Sequence, residues 1–288
     1  ASLGPLATAD IDGDGDLDLL VGGRFEPGRY PEPVSSALWV NDGGKLVSGG
    51  ALDQPFERIG LVSGAAFADL DGDNDSDLAL ALEWGSIRVF RNEGGRFVDA
   101  TELWGLAGMT GWWTSVAAGD FDGDGRLDLA CGNWGRNTIY ELHQPTTFQV
   151  LWGDWNEDGL IELVEAWRSG DRWLPVRDRA WLARGLPDLV HRFPTHQAFA
   201  EATIEDILPP GAEKPRRFEA AHLASTVFLN RGARFEPVAL PLEAQAAPVF
   251  AVNVGDFDGD GFEDLFLGQN FFGRSEEHTS ELQSPVVI

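Results

Sequence analysis

Five times the chain writes a nine-residue acidic loop and runs from it into an apolar strand: Asp10–Asp18, Asp69–Asp77, Asp120–Asp128, Asp154–Glu162 and Asp256–Asp264. Oxygen-bearing side chains fall at loop positions 1, 3, 5 and 9, a spacing that suits a hard cation. Calcium takes roughly 6–8 oxygens at about 2.3–2.6 Å, and a tight acidic loop can supply most of them. Position 6 is Gly15, Gly125, Gly159, Gly261 or Asn74, residues that tolerate a left-handed backbone. One such loop constrains little. Five in register call for a repeated fold built around ion-holding turns.

The charge follows the same pattern. The chain carries 47 acidic and 21 basic residues, a net charge of -26, and nearly half of the carboxylates lie inside the five loops. Five bound calcium ions would offset more than a third of that charge. Nothing forms a basic patch, so nucleic acid is not an expected partner. At 43% hydrophobic, with 11 Trp and 18 Phe, the chain can bury a sizeable core. No apolar run reaches the roughly 18 residues of a membrane span, so no transmembrane segment is expected. Cys131 is alone and forms no internal disulfide; set between Ala130 and Gly132 in a strand-like run, it reads as core.

Loop starts are separated by 59, 51, 34 and 102 residues. Repeats of this size suggest a solenoid or a propeller with blades of about 40–50 residues. Apolar strands follow the loops at Leu17–Val21, Leu78–Leu82, Leu127–Ala130, Ile161–Val164 and Leu265–Leu267, and precede four of them at Gly64–Ala68, Ser115–Gly119, Phe148–Trp152 and Phe250–Val254. A second unit, strand, Asn- and Gly-containing turn, strand, recurs at Leu38–Val47, Val89–Val98 and Val227–Glu236. Strand, acidic loop, strand, strand, turn, strand makes a four-stranded blade. The expected fold is therefore all-β, a partial β-propeller over residues 1–273 with five partial or complete blades. The 34-residue step reads as a blade short of an outer strand. The 102-residue step reads as holding a helical insertion at about 169–224, because Ala180–Val190 and Gln197–Leu208 have helical spacing, with Thr195 as N-cap and Pro209–Pro210 as stop. Residues 274–288 read as a non-native tail, since Arg274–Ser284 resembles a translated sequencing adapter. With Met109 the sole methionine and no signal peptide at Ala1, the native chain is expected to extend beyond both ends.

The loops and the Asn–x–Gly–Gly–x–Phe hairpins resemble the FG-GAP or VCBS repeats of integrin-like β-propellers. Arg91–Thr101 with Gly105 and Leu106 is similar, more narrowly, to bacterial relatives of the cartilage acidic protein group. The resemblance implies a calcium-binding propeller of the cell exterior or envelope, commonly without catalysis. Carried over by position, the implied calcium ligands are Asp10, Asp12, Asp14 and Asp18; Asp69, Asp71, Asp73 and Asp77; and Asp120, Asp122, Asp124 and Asp128. The last two loops would supply Asp154, Asn156, Asp158 and Glu162, then Asp256, Asp258, Asp260 and Asp264. Asn74, Asn156 and Glu162 depart from the family pattern. An EF-hand competes at the fourth loop, where Glu165 falls at position 12. Against it, Phe148–Trp152 reads as a strand rather than a flanking helix.

If the acidic loops lie on one face, the next connections lie on the other. There Trp84, Trp112, Trp113, Trp134, Trp167 and Phe271 form a candidate ligand face for a protein or carbohydrate partner. The competing reading packs these aromatics between blades. No catalytic motif stands out. The reading is a non-catalytic binding or adhesion module outside the cytoplasm, and the alternative is a secreted propeller enzyme acting on glycans.

Overall fold

In the computed structural model residues 2–140, 147–270 and 286–287 are described. The fold is all-β and built of antiparallel sheets. The first comprises β1 (Ser2–Ala9), β2 (Asp18–Phe25), β3 (Ala37–Asn41) and β4 (Leu46–Ser48), paired in that order. The second repeats the plan with β5 (Leu61–Ala68), β6 (Asp77–Ser86), β7 (Arg88–Asn92) and β8 (Phe97–Asp99), and β9 (Thr110–Trp112) pairs with the far end of β6. The third begins with β10 (Ser115–Gly119) and β11 (Asp128–Gly132).

There the chain leaves the blade. It forms a separate sheet from β12 (Phe148–Gly153), β13 (Glu162–Ser169), β14 (Arg172–Pro175) and β15 (Arg216–Ala220), in the order β14-β13-β12-β15. Between β14 and β15 lie four short helices, α1 (Arg179–Leu182), α2 (Leu189–Arg192), α3 (His196–Ala200) and α4 (Ile204–Ile207). Thr195 caps α3 through its side chain, and Thr203 with Asp206 forms a capping box on α4. The chain then returns with β16 (Thr226–Asn230) and β17 (Phe235–Ala239), which complete the third sheet as β10-β11-β16-β17. The fourth sheet holds β18 (Val249–Gly255), β19 (Asp264–Gln269) and β20 (Val286–Val287).

The inner strands β1, β5, β10 and β18 pack side by side in that order, so four sheets form the propeller arc. The sheet of the fourth acidic loop is not one of them. Its β12 is paired on both sides, to β13 and to β15, whereas the inner strand of a blade has one partner. The 34-residue step is therefore no shortened blade: it crosses from the third blade into the excursion. That blade's missing hairpin arrives after residue 225.

Between the first two blades Leu20, Leu38, Phe56, Leu78, Leu80 and Phe90 are buried together, and Ala79, Val89, Trp113, Leu129, Cys131 and Phe228 fill the next interface. The helices pack their Leu182, Leu189, Phe199, Ile204 and Ile207 on Leu151 and Val164 of the inserted sheet. The other side of that sheet rests on the propeller through Phe148, Val150 and Ala220 against Val34, Leu61 and Trp84. Among the described residues no helix is long and apolar enough to cross a membrane.

Candidate metal centres

Each acidic loop is folded by its first carboxylate. Asp10 accepts the N–H of Gly13 at 2.8 Å and of Gly15 at 3.0 Å. Asp69 does the same with Gly72 and Asn74, Asp120 with Gly123 and Gly125, and Asp256 with Gly259 and Gly261. The turn needs a left-handed residue at position 4 as well as at position 6. Gly13, Gly72, Gly123 and Gly259 supply the first, and Asn74 takes φ +73° at the second. In the Asp154 loop position 4 is Glu157, at φ +61°. For a residue with a Cβ that region costs roughly 1–2 kcal/mol.

The ninth position is a structural joint. Asp18, Asp77 and Asp128 are buried, each with two backbone donors. One carboxylate oxygen accepts the N–H of loop position 2, from Ile11, Leu70 or Phe121. The other accepts the N–H of an asparagine ending the third strand, Asn41, Asn92 or Asn230, at 2.8, 2.8 and 2.7 Å. The asparagine side chain extends the joint. Its oxygen accepts from a hairpin glycine (Gly44, Gly95 or Gly232), and the amides of Asn92 and Asn230 donate to the Ile11 and Leu70 carbonyls in the preceding blade's loop. In the sequence Asn–x–Gly reads as a turn, and the latch does not show. The recurrence of that asparagine in three hairpins was the available signal.

The loops gather carboxylates. Oxygens of Asp10, Asp12 and Asp18 lie within 4.8 Å of one another, as do those of Asp69, Asp71 and Asp77, and of Asp120, Asp122 and Asp128. Asp154, Asp158 and Glu162 form a fourth group, and Asp256, Asp258 and Asp260 a fifth. Two oxygens on opposite sides of a calcium ion are about 4.8 Å apart, so the spacing fits. Asp14, Asp73, Asp124 and Asp264 fall outside these groups. Asp124 is held instead by Arg126 and stands 3.5 Å from Arg231.

Without a cation the clusters are electrostatically uncomfortable. Burial pushes the Asp77 carboxyl up to about 6, and Asp71 and Asp73 add repulsion against the two N–H bonds that oppose it. Burial also raises Asp12, Asp71, Asp128 and Glu162, with neighbouring loop carboxylates adding to each. Asp122 is the exception: a hydrogen bond from Arg231 holds it low. An all-oxygen, anionic donor set of this kind suits calcium or magnesium rather than a thiolate- or imidazole-seeking metal.

The Asp154 loop is built differently. Its first carboxylate accepts from Asp158 and Gly159, and Glu162 accepts the Trp155 N–H at 2.7 Å. Asn156 donates to Asp158 and to the Gly185 carbonyl beside α1, at 3.1 and 3.3 Å. No hairpin asparagine reaches Glu162 among the described residues. The EF-hand reading fails on geometry: the loop joins strands β12 and β13, and the Glu165 carboxylate is occupied by Arg177 and Tyr140.

The opposite face holds an aromatic stack. The rings of Trp84 and Trp112 are 4.1 Å apart, and Trp112 lies parallel to Trp134 at 3.8 Å. Trp84 is only 4% exposed, because Phe148 of the inserted sheet closes over it at 5.7 Å. Beneath the stack Glu83 accepts from Tyr30 and Trp112, at 2.6 and 2.8 Å, and pairs with Arg24. Trp113 points away into the blade interface, buried against Phe228. Trp167 is half-buried on β13, and Phe271 lies outside the described residues. The structure thus brings three of the six aromatics together, under a roof that sequence reasoning did not foresee.

Residues 69–131, from the second acidic loop through β11, match the FG-GAP-like repeat. The matched span contains two acidic loops, one complete hairpin and the first half of the interrupted blade. No curated protein matches the chain. Among solved structures the chain is similar to a rhamnogalacturonan lyase of Bacillus licheniformis at 12% identity and a TM-score of 0.35, over 93% of this chain and 47% of the lyase. The chain therefore spans about half the length of that enzyme.

Proposed function

We propose that the protein is a calcium-loaded propeller acting outside the cytoplasm as a non-catalytic binding or adhesion module. The observation that carries this reading is the gathering, in each of the five acidic loops, of three carboxylates within 4.8 Å of one another. Calcium would sit among Asp10, Asp12 and Asp18 and their counterparts, with Asp14, Asp73, Asp124 and Asp264 completing their loops, and it would neutralise charge that otherwise opposes folding. The protein's own contribution is to hold the carboxylates in tight turns and tie them to the blades. A protein or carbohydrate partner would meet the face opposite the blade loops, where Trp112 and Trp134 remain half-buried at the edge of the roofed stack.

Calorimetric titration of the chelated protein with calcium tests the reading. Several exothermic or endothermic binding events and a rise in melting temperature are expected, with magnesium a poor substitute. An unchanged melt and no heat of binding would overturn it. For the partner, calcium-loaded protein is screened against glycans and matrix proteins. Trp134→Ala is expected to abolish any signal that depends on this face.

A further inference from the structure

We propose that Arg126 and Arg231 are a built-in counter-cation for the third acidic loop. They hold by ion pairs the carboxylates that calcium would hold in the first two loops, so the third closes without metal and loads last. Late loading rests on the calcium reading above; closure by arginine does not. Two charge reversals set this loop apart. Loop position 7 is Asp16 in the first loop and Asp75 in the second, but Arg126 in the third. The residue after the latching asparagine is Asp42 in the first blade and Glu93 in the second, but Arg231 in the third.

Both guanidinium groups turn onto the loop. Arg126 pairs with Asp124, at position 5, and its Nε donates to the Asn230 carbonyl at 2.8 Å. Arg231 donates to Asp122, at position 3, stands 3.5 Å from Asp124, and donates from Nε to Glu236 at 2.9 Å. An isolated exposed pair contributes little, but two guanidinium groups shared among three carboxylates form a network, the case in which such pairs count. Among the described residues no ion pair reaches the first loop. The second has one, Arg91 at 3.7 Å from Asp71, and that arginine is itself engaged by Glu93 at 2.7 Å. Asp120, Asp122 and Asp128 still gather within 4.8 Å, so the third cradle keeps its shape while its charge is reduced. The arginines would act on calcium twice: they engage the oxygens of positions 3 and 5, and they repel a second positive charge beside them. Ligand charge is one of the terms that set calcium affinity in acidic loops. The gain falls to the blade whose outer hairpin returns from far along the chain, because the two arginines fasten that hairpin to the loop with no ion.

The test uses the full chain, first in chelator and then titrated with calcium chloride. Each loop is read by NMR at the amide of its sixth position, Gly15, Asn74 or Gly125, whose N–H donates to the first carboxylate. Gly125 is expected to shift only at free calcium about tenfold or more above that which shifts Gly15 and Asn74. Arg126→Gln with Arg231→Gln should bring Gly125 into step with them. In chelator, amide exchange should be slower across residues 120–128 than across 10–18 and 69–77, and the glutamine variant should lose that protection. Asp75→Arg with Glu93→Arg installs the pair in the second loop, where Asn74 should then lag, and this arm decides even where the glutamine variant fails to fold. Gly125 shifting together with Gly15 and Asn74, or an unchanged Asn74 after the transplant, would overturn the proposal. If no loop takes calcium, the calcium reading falls and exchange in chelator decides alone. Protection of 120–128 that depends on the two arginines then supports arginine closure, and equal exchange in the three loops overturns it.

Discussion

The Asp69 loop and the Asp154 loop share a length and a first-position turn, yet they are held in place by different means. In the blade loop the ninth carboxylate is buried and accepts two backbone N–H groups, one from its own loop and one from Asn92. In the inserted loop Glu162 is also buried, but its backbone donors, Trp155 and Asn156, both belong to its own loop; Asn156 reaches out to Gly185, and Glu157 sits in a strained backbone region. The inserted loop also faces the other way. The Ile161 N–H donates to the Gly28 carbonyl, in the connection between β2 and β3, at the opposite end of that blade from the Asp10 loop. The blade loops are organised by the fold itself, whereas under the calcium reading proposed above the inserted loop would depend on its ion for much of its order.

The largest effect should come from breaking the joint itself. Asp77→Ala orphans the Leu70 and Asn92 N–H groups in the core, and a loss of about 2–4 kcal/mol is expected from urea unfolding in chelator. Glu162→Ala frees only the Trp155 and Asn156 N–H groups of its own loop, with no tie to a hairpin lost, and should cost about half as much. Equal losses would erase the distinction between the loops. Calcium withdrawal should sharpen it. Amide exchange should accelerate across residues 154–162 by about tenfold or more, and less across 69–77, because local opening follows local stability. Faster exchange in the Asp69 loop would reverse the assignment.

The pH response should be smaller. Asp77 is raised to about 6 from an ordinary value of 3.8, so between those values the folded form binds more protons than the unfolded one. In chelator, this group's contribution must therefore destabilise the fold progressively as pH rises from about 4 to about 6. Asp77→Asn should flatten that part of the curve, and an unchanged slope would assign it to other groups. A smaller effect is expected at Glu157→Gly, which relieves the left-handed strain and should stabilise by roughly 0.5–1 kcal/mol. Asn74→Gly, at an already tolerant residue, should change little.

The acidic loops, the flanking strands and all three hairpins were legible because each is a local pattern with period two bounded by turn residues. Which strands pair was not. Phe148–Gly153, its acidic loop and Glu162–Ser169 copy the local grammar of a blade, so the excursion passed for a propeller sheet. The hairpin at Val227–Glu236 was visible, but the pairing of β16 with β11 and the bond from Asn230 to Asp128 show which blade owns it. The aromatic face was placed by alternation of connections. Alternation fixes the end of a strand and says nothing of what another segment lays over it. Trp84 is the result: a residue at the expected end, with positive φ, and sealed by Phe148.

The chain leaves the third blade at Gly132 and re-enters beside it, with Cys131 opposite Thr226, while the equivalent pair in the second blade is Leu80 and Arg88. Closing so long a loop costs about 2 kcal/mol more chain entropy than the short turn does. The pairing also has the long sequence separation that slows folding. During synthesis β10 and β11 must wait, half a blade with an open edge, until the whole excursion has emerged. If the inserted sheet collapses first, it brings Thr226 back to Cys131 and turns a distant encounter into a local one. The insertion would then serve its host as a folding clamp, and replacing it with the tight turn of the second blade should yield a faster-folding third blade with the same register.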